Sequence, residues 1–95
     1  MAIKVLTPIN INKFNLTLSN LILSFKGSYR LSYVINNGQR VYIVSGILCY
    51  YTDRQKEPLY YENCEYTINE TQLNTNLIEY LYNMVKSRYT NYEDL

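Results

Sequence analysis

The first stretch of the chain alternates. Ile3, Val5, Ile9 and Ile11 fall on alternate positions, with Thr7 in the gap and Pro8 beside it. Alternation marks an extended segment, and a proline within it favours an edge or an irregular arm over a central strand. Residues 1–13 are therefore predicted to be an extended N-terminal arm or edge strand. That leaves an ordinary first strand or an arm laid on a neighbouring subunit by strand addition. In residues 14–26 the parity changes: Phe14, Leu16 and Leu18 share one face, and Leu21, Leu23 and Phe25 the other. A one-residue slip reverses every side chain, so either a β-bulge at Ser19-Asn20 restores the register or two separate strands meet there at a bend.

Residues 28–51 carry the clearest signal. Two strand-like runs flank Asn37-Gly38, a pair suited to the positive φ angles of a type I′ hairpin turn. Centring the turn there pairs Asn36 with Gln39, Tyr33 with Tyr42 and Leu31 with Val44, and sets Tyr29 over the bare Gly46. One face holds Tyr29, Leu31, Tyr33, Tyr42, Val44, Leu48 and Tyr50. Arg30, Ser32, Val34, Val41, Ile43, Ile47, Cys49 and Tyr51 lie on the other. The second strand is apolar on both faces, which predicts a central position covered on both sides, at least in part.

After a charged loop at 52–58, Tyr60, Cys64, Tyr66 and Ile68 share the parity of another strand. Asn69 followed by Gln72 fits a capping box. Leu73, Leu77, Leu81 and Met84 then recur at helical spacing, a stripe that should dock on the sheet, with Glu79, Lys86 and Arg88 on the solvated side. The tail should fray. The predicted fold is α+β: an antiparallel sheet of four or five strands with one C-terminal helix packed on it. Its parts are the arm 1–13, a single domain 14–90 and a frayed tail 91–95.

The 95 residues allow one small domain, which buries roughly 60–65% of its unfolded surface and can need a partner to complete its core. Apolar residues make up 47%, too many for a disordered chain, and the net charge of +1 argues against a strongly electropositive nucleic-acid coater. Strand preference is reinforced by 12 Tyr against one Ala. The same skew, with its abundant Asn, Leu and Ile, points to a low-GC genome. No apolar run reaches membrane-span length, and no secretion signal is recognisable at the N-terminus.

Chemistry-bearing patterns are sparse. The chain has no histidine, so the usual general base and the commonest metal ligand are missing. No glycine-rich phosphate loop occurs, and Glu62 and Glu65 point to opposite faces of one strand. Cys49 and Cys64 form no metal-binding spacing and are expected as reduced thiols, the alternative being a bridge between neighbouring strands. The reading is non-enzymatic, with no catalytic residue, cofactor or metal.

Tyrosine is the feature to explain. Part of it replaces Phe and Trp as core filler. The surplus suits adhesion, because Tyr gives large contact area at low entropic cost. Tyr50, Tyr51, Tyr60 and Tyr61 gather at one hairpin end, beside Arg54 and Lys56. Tyr80, Tyr82, Tyr89 and Tyr92 are similarly in excess. The candidate interface is thus Ile3, Val5, Ile9 and Ile11 of the arm together with Tyr50, Tyr51, Arg54, Tyr60 and Tyr61. Lys26, Arg30 and Arg40 interleave with Tyr29, Tyr33 and Tyr42 in the manner of a stacking platform. However, the pairing puts Arg30 on the face opposite the tyrosines, so nucleic acid is an unlikely partner.

Four features together resemble small virion proteins of tailed phages, of the neck, tail-completion or capsid-decorating type: the apolar arm from Ile3 to Ile11, the two-faced strand from Val41 to Tyr51, the tyrosine cluster and the low-GC composition. That resemblance carries no diagnostic motif, so no functional residue transfers. It implies a structural subunit that contacts copies of itself and other virion proteins, located in the virion or the host cytoplasm. The alternatives are a small phage inhibitor of a host protein and a single-stranded nucleic-acid-binding module.

Overall fold

The computed structural model describes residues 1–11, 15–52 and 57–95. The elements among these residues follow in the order β1 (Ile3–Val5), β2 (Ile9–Ile11), β3 (Leu16–Leu18), β4 (Leu21–Asn36), β5 (Gln39–Tyr51), β6 (Tyr60–Ile68), a 3₁₀ turn (Glu70–Asn74), the helix α1 (Leu77–Lys86) and β7 (Tyr92–Asp94). Five strands form an antiparallel sheet in the order β6-β5-β4-β1-β7, and β2 and β3 form a second, two-stranded sheet. The fold is α+β, with the C-terminal helix packed on one sheet face.

The hairpin is the organising element. Asn37 and Gly38 both have positive φ, at 52° and 77°, and the observed register pairs Asn36 with Gln39, Tyr33 with Tyr42 and Leu31 with Val44. Further down, the ladder jumps from Arg30–Ser45 to Lys26–Ile47, with Gly27 at φ 67° inside the bulge. The bulge displaces Tyr29 from Gly46. The ring that covers Gly46 is Phe25, whose Cδ1 would stand 2.9 Å from a Cβ placed there, and a Leu81 methyl would stand 3.1 Å away. At Gly46 the helix side chain Leu81 comes close to the sheet backbone.

The parity change at Ser19-Asn20 is a change of sheet. β1 pairs with β4 as Val5–Leu21, whereas β2 pairs with β3 as Ile9–Leu18, so the two ladders are offset by one residue. The extra residue lies in the Leu6–Pro8 link, where Pro8 cannot donate to a ladder. Asn20, at φ 60°, makes the sharp reversal on the other side.

Three expectations are corrected. The arm is not a free edge: β1 lies between β4 and β7, and Ile3 and Val5 have no exposed surface. Nor does the tail fray, since β7 pairs with β1 from Ile3–Asp94 to Val5–Tyr92, and Lys86 Nζ holds Asp94 at 2.7 Å. The helical stripe is split. Asn69 and Gln72 form the reciprocal capping box, but it opens only the 3₁₀ turn, and Asn76 caps α1 anew by accepting from the Glu79 N–H at 3.2 Å.

The main core lies between α1 and one face of the sheet, with Ile11 of the smaller sheet joining it. Leu77, Leu81, Tyr82 and Val85 of the helix meet Leu21, Leu23, Phe25, Val44, Leu48, Tyr50, Cys64 and Ile68. β5 is an inner strand, as its apolar pattern predicts, and its second face is covered only in part: Cys49 there is 1% exposed, whereas Ile47 is 45% exposed.

Candidate interaction surface

The hairpin outgrows the layers that cover it. β1 pairs only with Leu21–Leu23, and β6 stops at Ile68 opposite Tyr42. Every residue from Lys26 to Arg40 is exposed, and the molecule extends 44 Å along its long axis against 26 and 25 Å across. The outer hairpin nevertheless carries Tyr29, Leu31, Tyr33, Val34 and Ile35, the last 69% exposed. A run of this size on a projecting element marks a contact surface, because scattered apolar residues would not line one strand.

The edge adds a second feature. A two-residue turn closes on a hydrogen-bonded pair, and such pairs alternate along the hairpin. Leu31, Tyr33 and Ile35 therefore turn their main-chain N–H and C=O groups away from β5. Among the described residues no strand lies beside them. The Tyr33 ring is held in place from its own hairpin: Arg40 stacks over it at 4.8 Å, and the Tyr42 ring centroid lies 6.1 Å away.

The arm and tyrosine cluster expected at the interface fare differently. Ile3, Val5 and Ile11 are core, and Ile9 packs against it. Tyr50 is 5% exposed, stacks at 5.5 Å on Tyr60 and donates to Glu62 Oε1 at 2.6 Å. Burial, followed by this bond to Glu62, pushes its hydroxyl pKa upward. Tyr51 and Tyr60 are half-buried, and only Tyr61 of the four is open, with Lys26 Nζ 5.6 Å from its ring centroid. Arg54 and Lys56 lie outside the described residues. The outer hairpin gives no distinct contact signal in the sequence, because its apolar residues read equally well as sheet filling. What strips them of cover is the shortness of β1 and the end of β6.

Two polar sites lie apart from the outer hairpin edge. Arg88, read as a solvated helix residue, instead reaches β6: it donates to Glu62 Oε1 and to the Tyr66 hydroxyl, each at 2.9 Å, and lies 3.5 Å from Cys64 Sγ. Burial pushes the Cys64 thiol up, with a smaller contribution from Glu62, and Arg88 opposes the shift. A protonated, buried thiol is a poor nucleophile, so this network clamps the turn after α1 to the sheet. On the sheet face away from α1, a groove of about 570 Å³ runs between Lys26, Arg30, Ser32, Ser45, Asn63 and Glu65.

Cys49 and Cys64 are both free and buried, on opposite faces of the sheet, which precludes a bridge between them. Among the described residues no group of three or more Cys, Asp or Glu side chains is placed to hold a metal, and no helix is long and apolar enough to cross a membrane. Compared with family models, with curated proteins and with solved structures, the chain matches none.

Proposed function

We propose that this protein is a non-enzymatic assembly subunit, a component of a phage particle, and that it works through protein–protein contacts made by the outer half of the β4–β5 hairpin. One observation carries the contact reading: a projecting hairpin in which the outer half of β4 is apolar, exposed and, among the described residues, unpaired along one edge. Interfaces favour such aromatic and aliphatic anchors, and extended partners add to such edges by main-chain bonds. The particle setting rests on the resemblance to tailed-phage virion proteins and on the low-GC composition.

A photo-cross-linking residue at Ile35, introduced in the organism that makes the protein, tests the contact reading. Expected are adducts with protein, recovered from assembled particles. Adducts with nucleic acid alone, or with a host enzyme and no particle protein, overturn it.

A further inference from the structure

We infer that the partner of the β4 edge is a second copy of this chain, paired antiparallel about a two-fold axis at Tyr33. The inference rests on the contact reading above and names its occupant.

Space is the first argument. Among the described residues no strand lies beside β4 from Arg30 to Asn36, because β1 pairs only with Leu21–Leu23 and the bulge at Gly27 ends the regular ladder. A second β4 running antiparallel would enter that lane from the far end. With Tyr33 opposite Tyr33, Arg30 faces Asn36 of the second copy, and the second copy's Asn37-Gly38 turn comes beside Tyr29, short of β1. The second copy's β5 then lies in the lane of β7, again end to end rather than overlapping. The regular edge from Arg30 to Asn36 is thus the length that a second hairpin can fill.

Self-complementarity is the second. In this register Leu31 faces Ile35 and Ser32 faces Val34, and no like charges oppose each other. Main-chain groups of Leu31, Tyr33 and Ile35 point outward on both copies, so donors meet acceptors. Natural edges are blunted by Lys, Pro or inward charges, and this one has only Arg30, which the register places opposite an amide. A net charge of +1 leaves little repulsion between copies. Arg40 holds the Tyr33 ring before contact, which reduces the ordering that association requires.

Size is the third. Edge pairing over Arg30–Asn36 buries the main-chain edge and the flanks of Leu31, Tyr33, Val34 and Ile35 while their outer faces stay open, so the contact is smaller than the roughly 1,000 Å² of a stable specific interface. A weak, reversible dimer is what such a contact supports.

Sedimentation velocity on the full chain over a concentration series tests the pairing. The native protein should dimerise. Tyr33→Lys, which sets two ammonium groups face to face, should abolish the dimer while the circular dichroism spectrum stays native. Ile35→Lys provides the same test should Tyr33→Lys fail to fold. Ser32→Cys/Val34→Cys should form a covalent dimer on oxidation, because those residues oppose each other in a non-hydrogen-bonded pair, where side chains approach closest. A native protein that is monomeric at every concentration, a Tyr33→Lys dimer, or a cross-link that fails to form in a native dimer overturns the pairing. Failure here differs from failure of the contact reading: a monomer that still cross-links through Ile35 to another particle protein leaves that reading standing.

Discussion

Tyr82 supplies to Phe25 the hydrogen bond that a neighbouring strand would make. Its hydroxyl accepts the Phe25 N–H at 2.9 Å, just past the point where β1 runs out, and donates to the Met1 carbonyl at 2.6 Å. The two rings meet edge to face at 4.9 Å. One helix side chain thus fills the core, terminates the β1–β4 ladder and ties down the N-terminus. Tyr82→Phe keeps the packing and removes the hydroxyl, leaving a buried amide short of an acceptor. The expected loss is about 1–3 kcal/mol, read from urea unfolding. A loss below about half a kcal/mol would mean that the amide finds another acceptor.

Gly46 and Leu81 set the distance between sheet and helix. Gly46→Ala would place a methyl 2.9 Å from the buried Phe25 ring and should destabilise by about 1–3 kcal/mol. Leu81→Ala removes a side chain with no exposed surface and should cost about 2–5 kcal/mol. Because the two residues meet, the double variant should lose less than the two single losses combined. Strict additivity in a double-mutant cycle would show that helix and sheet do not touch at this point.

β7 should contribute stability out of proportion to its length. Ending the chain after Asn91 removes the whole β1–β7 ladder and the Lys86–Asp94 ion pair. Amide exchange across residues 3–5 should quicken markedly, while β5 and β6 keep their protection. Unchanged exchange at residues 3–5 would restore the expectation of a fraying tail.

Both thiols should resist labelling in the native protein and react once it is unfolded, since Cys49 and Cys64 are 1% and 3% exposed. Alkali should weaken the fold. The Cys64 thiol is raised above its ordinary value of 9.0, and the Tyr66 hydroxyl above 10.0, burial being the main cause of each. In the window above those ordinary values the unfolded chain loses its protons first, so stability present at neutral pH falls as pH rises. Cys64→Ala should delay the onset of that fall in urea titrations at stepped pH. An onset unmoved by the substitution would assign the decline to the tyrosines alone.

Local chemistry alone was enough for much of this architecture. Asn37-Gly38 dictates a turn whose geometry then sets every pair from Asn36–Gln39 to Leu31–Val44. The parity switch between Leu18 and Leu21 encodes the change of sheet, and the Leu77–Leu81 spacing encodes part of the helix face. These features are legible because each depends on residues a few positions apart. Other features depend on where distant segments stop. Ile3 and Val5 look adhesive until β7 returns from the far end of the chain to cover β1. Arg88 looks solvated until Glu62 and Tyr66 are found beside it. Tyr33 and Ile35 look like core until β1 proves too short and β6 ends at Ile68. Whether an apolar strand residue is filler or contact surface is a property of its neighbours across the sheet. Those neighbours are set by long-range pairing, which composition and periodicity do not encode.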